Sequence, residues 1–209
     1  MIERLIFSGF GGQGLLTAGK LLVACAMNEG KHVTYLPSYG SAVRGGTANC
    51  KLVVSDSAVL SPGVDQATGL LIMNAESLER FHPILAPGGL LVVNTSMVDA
   101  SPAARGGRVL GVAATEIATK IGAVQVANVV MLGALNEVMG LVKPETLLAT
   151  IAKTLSGRRK ALIPANEQAL DAGRAAARAW MAAKFEHGER EIRAGKGVSD
   201  QAARKRLGR

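Results

Sequence analysis

The chain has 209 residues, which is enough for one domain with its own hydrophobic core. Hydrophobic residues make up 48% of it, so the composition excludes an intrinsically disordered chain. The formal net charge of +8 taken alone points to an anionic partner such as nucleic acid, but an aromatic content of 3% argues against a protein that stacks bases.

The first third of the chain predicts short strands around one helix. Apolar runs that end at glycine or proline predict strands at 4–10 and 32–36. Helical spacing of apolar residues predicts a helix over 15–29, with Gly30 as its stop. Apolar and polar residues alternate over 48–55, which predicts a strand near the sheet edge with one more exposed face.

The remainder continues the alternation and then becomes helical. Asn74 is a candidate cap for a helix over 75–85, and 87–89 is a candidate turn. We expect further strands at 70–73, 90–93 and 109–112, and helices at 115–121, 126–139, 144–155 and 166–185. This order predicts an α/β protein: a three-layer α/β/α, Rossmann-like fold with a mainly parallel sheet and a helical C-terminal part.

The positive charge is concentrated at the C-terminus. Residues 1–152 hold ten basic and ten acidic side chains, whereas 153–209 hold fourteen basic and six acidic ones. We therefore predict a domain over 1–185 and a basic C-terminal extension over 186–209. The extension is either a solvated end or a segment that contacts an acidic surface of a partner, and we favour the partner.

The first turn has the glycine pattern of a phosphate-binding loop. Glycines at 9, 11 and 14 fit G-x-G-x-x-G between a predicted strand and a predicted helix. Glycine allows backbone to approach a phosphate, and the following helix N-terminus offers N–H donors. Three interpretations stay open: tight strand–helix packing, contact with an anion or nucleotide phosphate, and a subunit contact.

A dinucleotide site also needs an acid after the second strand, and this chain has none. The sequence there is Leu36-Pro37-Ser38-Tyr39. Arg44 follows in a second glycine-rich loop, where its guanidinium suits a carboxylate or phosphate. The alternative is a surface loop with one solvated charge.

Catalytic and metal-binding patterns are absent from the sequence. Cys25 and Cys50 fall on apolar faces, so we predict that both are core residues. The three histidines are scattered, and no apolar run is long enough to cross a membrane. The apolar run at 4–10 is too short for a signal peptide, so we expect a cytoplasmic protein with no catalytic residue and no metal site.

A set of short motifs occurs in a fixed order along the chain. They are Gly9-Phe10-Gly11-Gly12-Gln13-Gly14, Tyr39-Gly40, Arg44-Gly45-Gly46-Thr47-Ala48, Ser61-Pro62, Met73-Asn74, Leu85-Ala86-Pro87-Gly88-Gly89, Asn94, Asn128 and Met131-Leu132-Gly133-Ala134-Leu135. Together, over about residues 3 to 180, these motifs resemble the gamma subunit, or gamma domain, of the 2-oxoacid:ferredoxin oxidoreductases. One departure is Ala42, near a position where many members carry an acid.

The resemblance implies that the chain is one subunit of an assembly that oxidatively decarboxylates a 2-oxoacid and releases an acyl-CoA. That assembly uses thiamine diphosphate with Mg, iron–sulfur clusters and coenzyme A, none of them bound wholly by this chain. Its other members would be alpha and beta type thiamine-binding subunits and a ferredoxin-like subunit. Candidate contacts with coenzyme A, or with a subunit interface, are Gly11, Gly12, Gln13, Gly14 and Arg44.

Two other functions stay open at this stage. A free-standing Rossmann-type nucleotide-binding reductase would explain the glycine loop, but the missing acid counts against it. A nucleic-acid-binding protein would explain the basic tail, but the chain has no interleaved aromatic residues and no recognised DNA-binding motif.

Overall fold

The structure, a computed structural model, describes residues 1–39, 47–101 and 108–193. Within them the strands are β1 Ile2–Phe10, β2 His32–Tyr39, β3 Thr47–Ser55, β4 Ala67–Ile72, β5 Leu85–Asn94 and β6 Arg108–Val112. The α-helices are α1 Leu15–Asn28, α2 Ala75–Phe81, α3 Ala114–Ile121, α4 Ala127–Met139, α5 Pro144–Thr154 and α6 Ile163–Arg193. The predicted α/β class with a helical C-terminal part is confirmed.

The described strands form one sheet in the order β2-β3-β1-β4-β5-β6. Neighbours are parallel from β1 through β4 and β5 to β6, whereas β3 is antiparallel to both β1 and β2. Five of these six strands therefore share one direction, as a mainly parallel sheet requires. β3 is the exception because only residues 40–46 separate it from β2, and a parallel connection needs a dozen residues or more.

Strand β3 lies near the sheet edge, as predicted, but its predicted more exposed face is only partly open, with Thr47 and Lys51 half-buried. Its Cys50 and Leu52 lie close to Gly19 of α1, while Val53 belongs to the core cluster on the other face of the sheet. All three side chains are completely buried. The edge position belongs to β2, so β3 is the second strand from the edge and is covered on both sides.

Helices pack on both faces of the sheet, as the three-layer prediction requires. On one face, Leu78 and Phe81 of α2 join a buried cluster with strand residues such as Ile6 and Leu70. On the other face, Gly69 of β4 leaves room for Leu5 and for Met139 of α4. The layer that contains α4 also contains α1 and α5, because α1 packs against both.

Helix α2 begins where the sequence predicts it but ends earlier. Asn74 is its N-cap, and the side-chain Oδ1 accepts a hydrogen bond of 3.1 Å from the Ser77 N–H. The predicted end at residue 85 is wrong, because the helix stops at Phe81 and a short 3₁₀ turn, His82–Ile84, follows. Pro83 lies in that turn and has no backbone N–H, so it cannot donate the hydrogen bond that would continue the α-helix.

The predicted turn at 87–89 is an outward excursion within β5. Ala67 of β4 pairs with Leu85, and Gly69 pairs with Leu90. The four β5 residues 86–89 therefore lie opposite a single β4 residue, Thr68. Gly88 has a φ of 77°, which suits glycine. The strand thus begins at Leu85, five residues before the predicted start at 90.

The chain divides into one compact unit over 1–177 and a second over 178–209. The predicted boundary between 185 and 186 stays a prediction. In the described part of the chain, no helix is both long enough and apolar enough to span a bilayer.

Candidate functional site

The parallel strands end together at one edge of the sheet, which we call the carboxyl edge. β1 ends at Phe10, β4 at Ile72, β5 at Asn94 and β6 at Val112. Helix α1 follows β1 and covers one face, whereas α2 follows β4 and covers the other. The strand order therefore reverses between β1 and β4, and in open α/β sheets this point of the carboxyl edge is where ligands bind.

The glycine loop lies at this point, between β1 and α1. Gly12 has a φ of 97° and Gly14 a φ of 75°, so both adopt the left-handed backbone that favours glycine. The turn is closed by two hydrogen bonds, from Gln13 N–H to the Phe10 carbonyl at 3.2 Å and from Phe10 N–H to Gln13 Oε1 at 2.7 Å. Gly11 and Gly12 are exposed, so a ligand or partner can reach this turn.

Gly9 has a packing role. A Cβ there would lie 2.7 Å from Leu15 Cδ1 and 2.8 Å from Met73 Cβ. No side chain fits between β1, the start of α1 and the end of β4. The tight-packing interpretation of the loop thus applies to Gly9, whereas nothing lies within 4 Å of a Cβ at Gly12.

The Asn128 side chain links the glycine loop to helix α4. It is the second residue of α4, and its Nδ2 donates a hydrogen bond of 2.8 Å to the Gly14 carbonyl oxygen. A Cβ on Gly14 would lie 2.6 Å from that same nitrogen, so glycine is required there by sterics as well as by φ. The N-termini of α1 and α4 therefore meet at the loop.

Two buried amide atoms at this edge have no hydrogen-bond partner. They are Nδ2 of Asn74 and Oδ1 of Asn128. Asn74 is 2% exposed and Asn128 is 5% exposed, and buried polar groups in proteins are nearly always paired. One atom is a donor and the other an acceptor, and both are shielded from solvent.

Asn94 organises the neighbouring part of the edge. Its Oδ1 accepts from the N–H groups of Ser96, Ala114 and Thr115 at 3.1 to 3.4 Å, and its Nδ2 donates to Thr115 Oγ1 at 2.8 Å. The last residue of β5 thus caps the start of α3. Since its polar atoms are satisfied, Asn94 has a structural role.

The strand that follows the second glycine-rich loop begins beside the first loop. Tyr39 pairs with Ala48 across β2 and β3, and Thr47 pairs with Phe10 across β3 and β1. The residue before the 11–14 loop is thus directly opposite the residue after 40–46. Gly11, Gly12, Gln13 and Gly14 lie at the carboxyl edge, whereas Arg44 lies outside the described residues.

The contacts of Asn128 and Asn94 were not predicted from the pattern of residues. Asn128 interrupts an apolar run over 126–135 and is almost completely buried, so a lone amide in a buried helix was the available signal. Gly11–Gly14, Asn74 and Asn128 carry no ionisable side chain. Together they can bind and orient a group but cannot transfer a proton.

Both cysteines are core residues, as predicted. Cys25 and Cys50 are free and fully buried. Burial raises the pKa of both thiols, that of Cys50 to about 12. Within the described residues there is also no group of three or more His, Cys, Asp or Glu side chains that could hold a metal ion.

The sheet order and the glycine loop between β1 and α1 define an α/β protein with a Rossmann-like, mainly parallel sheet. The family model for pyruvate ferredoxin/flavodoxin oxidoreductase matches residues 4–176. The chain belongs to this family, which confirms the resemblance drawn from its motifs.

Relatives carry the same unit in chains of different length. The ketoisovalerate oxidoreductase subunit VorA of Methanothermobacter thermautotrophicus is 38% identical over 172 residues, which are 81% of this chain but 35% of that subunit. This chain therefore spans about a third of the length of that relative.

Two solved structures are also similar to this chain. The gamma subunit of a keto/oxoacid ferredoxin oxidoreductase from Geobacter sulfurreducens has a TM-score of 0.70 at 27% identity, covering 85% of this chain and 99% of that one. A 2-oxoglutarate:ferredoxin oxidoreductase from Magnetococcus marinus, with 2-oxoglutarate, coenzyme A and succinyl-CoA bound, has a TM-score of 0.79. It is 21% identical, covering 85% of this chain and 31% of that one, so it shows the shared fold.

Proposed function

We propose that this chain is the gamma subunit of a multi-subunit 2-oxoacid:acceptor oxidoreductase that converts a 2-oxoacid to an acyl-CoA. The observation that carries the proposal is the family match over residues 4–176, which includes the carboxyl edge and all of the sheet except the first two residues of β1. The Geobacter sulfurreducens gamma subunit supports it, because that chain is covered over 99% of its length.

The proposed role of the chain is structural. Thiamine diphosphate with Mg and the iron–sulfur clusters would be held by alpha and beta type subunits and a ferredoxin-like subunit. This division of labour is supported by the polar side chains beside the glycine loop, since Gln13, Asn74 and Asn128 are all neutral amides. The clusters would perform electron transfer on the sister subunits, and the amides here would position groups.

Coenzyme A, or the channel that leads to it, is the proposed ligand of the two glycine-rich loops. Gly11 and Gly12 present exposed backbone at the N-terminus of α1, where N–H groups and the helix dipole favour a phosphate. Arg44 belongs to the loop anchored beside them, and its guanidinium would add a bidentate phosphate contact. Coenzyme A bound in the Magnetococcus marinus relative supports this ligand class.

We place the assembly in the cytoplasm. The free, buried thiols of Cys25 and Cys50 support this, because reduced cysteines are typical of that compartment.

The proposal is tested by purifying the tagged, full-length chain from its native cells under anaerobic conditions. Mass spectrometry should find a thiamine-binding subunit and a ferredoxin-like subunit in constant proportion to it. A chain that purifies alone and binds NAD(P) would contradict the proposal and favour the free-standing reductase.

A further inference from the structure

A cavity lies at the edge of the sheet opposite the carboxyl edge, where β1, β4, β5 and β6 begin. We call it the amino-edge cavity. It measures about 290 Å³, and its lining includes Glu3, residues 86–89, Arg108, Val138 and Met139. All of these residues belong to the compact unit over 1–177. Because the glycine loop lies at the other edge, the ligand proposed for that loop does not account for this cavity.

One wall of the cavity is the outward excursion of β5. Residues 86–89 lie opposite Thr68 alone, so the backbone leaves the sheet there and forms the wall. A Cβ on Gly88 would meet nothing within 4 Å, whereas a Cβ on Gly89 would lie 2.9 Å from the Ala86 carbonyl oxygen. Irregularities of this kind are common beside binding sites, because they redirect the strand. The excursion thus gives the 85–89 motif a place in a cavity.

Two charged side chains of opposite sign extend from the same face of the sheet into this region. The register aligns Leu5, Gly69, Leu90 and Arg108 across four strands, and aligned residues share a face. Gly69 faces α4, so Arg108 does as well. Glu3 precedes Leu5 by two residues and therefore lies on this face too.

The two charges are unpaired. Neither the Glu3 nor the Arg108 side chain makes a hydrogen bond or an ion pair within residues 1–39, 47–101 and 108–193. Their strands are three neighbours apart, which is about 14 Å, so the two side chains approach the cavity from opposite sides. Glu137 in the last turn of α4 does not compete, because it pairs with Arg174 at 3.0 Å.

The lining favours a small ligand with both charges. Helix α4 ends at Met139, and the carbonyl groups of its last turn form the negative end of the helix dipole, which together with Glu3 favours a cation. The Arg108 guanidinium suits a carboxylate. Val138 and Met139 are half-buried and offer apolar contact. A protein partner is less favoured, because charged residues are depleted from the cores of protein interfaces.

We propose that the amino-edge cavity binds a zwitterionic α-amino acid with a small apolar side chain. The ammonium group meets Glu3, the carboxylate meets Arg108, and the side chain lies against Val138 and Met139. The volume is at the lower end for ligand sites, which restricts the side chain to a small one. The site uses neither the glycine loop nor another subunit, so it does not depend on the proposed function.

Calorimetric titration of the full-length chain with L-valine, isovalerate and isobutylamine tests the ligand class. Isovalerate lacks the ammonium group and isobutylamine lacks the carboxylate, while the branched apolar part is retained. We expect L-valine to bind about tenfold more tightly than either, since each analogue leaves one charge of the cavity unpaired. Equally tight binding of isovalerate would overturn the inference. No binding of L-valine up to about 10 mM would also overturn it and would favour a protein contact at this edge.

Two variants assign the charges, Glu3→Gln and Arg108→Gln. Neither side chain is buried or paired, so both variants should fold, which circular dichroism checks. Glu3→Gln should remove the preference for L-valine over isovalerate, and Arg108→Gln should remove the preference over isobutylamine, each with about tenfold weaker binding of L-valine. The matched controls Glu79→Gln and Arg159→Gln change exposed charges outside the lining and should match the wild type. Unchanged preferences in the cavity variants, or equal losses in the controls, would contradict the site.

Discussion

The Asn128 side chain donates a hydrogen bond of 2.8 Å to the carbonyl oxygen of Gly14, across 114 residues of sequence. This bond joins the glycine loop of β1–α1 to the first turn of α4. The Gly14 carbonyl also accepts the Ala18 N–H at 2.9 Å, so it belongs to the first turn of α1 as well. The position of the loop therefore depends on the packing of α4.

The stability of Gly14 variants should depend on Asn128. Gly30 provides a matched control, because it has the same φ of 75° but open space around its Cβ position. We expect Gly30→Ala to lower the free energy of unfolding by about 1–2 kcal/mol from the left-handed backbone alone. Gly14→Ala should cost about 1–2 kcal/mol more, because its methyl group displaces the Asn128 amide.

Urea unfolding of a double-mutant cycle measures that difference. In an Asn128→Ala background the cost of Gly14→Ala should fall to that of Gly30→Ala. If the losses of unfolding free energy from Gly14→Ala and Asn128→Ala are additive in the double variant, the claim that Asn128 restricts position 14 is contradicted.

The local elements of this fold are predictable from sequence, but the contacts between them are not. The Asn74 cap and the α1 stop at Gly30 depend on neighbouring residues and were predicted. The direction of β3 also had a local signal in the short 40–46 connection. The Asn128–Gly14 bond needs the packing of two distant helices, and only the resemblance to a family pointed to Asn128.

Helices α4 and α6 cross closely at a pair of glycines. A Cβ on Gly173 would overlap the Val130 carbonyl oxygen and lie 3.0 Å from the Ala134 nitrogen, and a Cβ on Gly133 would overlap the Leu170 carbonyl oxygen. Arg174 then pairs with Glu137 at 3.0 Å beside the crossing. Small residues thus set the separation of the two helices.

Gly173→Ala should destabilise the protein although alanine is the better helix former. We expect a loss of about 2 kcal/mol or more, since the obstructing atoms are backbone and the helices must move apart. Ala175→Gly at an exposed position of the same helix should lose only the helix propensity, about 1 kcal/mol. Thermal unfolding measures the stability of both variants. An unchanged or higher Tm for Gly173→Ala would disprove the close crossing of the two helices.

Cys50 should make the protein less stable at alkaline pH. Burial raises the pKa of its thiol from 9.0 to about 12. Since the folded state disfavours the thiolate, the contribution of Cys50 is fully present below pH 9 and is lost as the pH rises toward 12. Other groups titrate in this range, so the comparison is between wild type and Cys50→Ala.

The difference in unfolding free energy between those two proteins should shrink from pH 8 to pH 11, as measured by urea titration. At pH 8 the folded wild type should also leave Cys50 unreactive toward a thiol reagent until urea unfolds it. A constant difference in stability, or rapid labelling of Cys50 in the folded protein, would contradict its burial.

Arg44 should affect the use of coenzyme A by the assembly. We expect Arg44→Ala to raise the KM for coenzyme A about tenfold, the scale of one charge-assisted phosphate contact, with the KM for the 2-oxoacid unchanged. The control is Arg159→Ala, an exposed arginine outside both glycine-rich loops. If the two variants have the same KM for coenzyme A, Arg44 does not belong to the proposed ligand site.

The central claim is that this chain works as the gamma subunit of a 2-oxoacid oxidoreductase. The most direct measurement is the reduction of a viologen dye by the anaerobically purified assembly, with pyruvate, 2-oxoglutarate and a branched-chain 2-oxoacid tested in turn. The account predicts reduction that requires both one of these 2-oxoacids and coenzyme A, and that yields the matching acyl-CoA. An intact assembly that reduces the dye without any 2-oxoacid or without coenzyme A would contradict it.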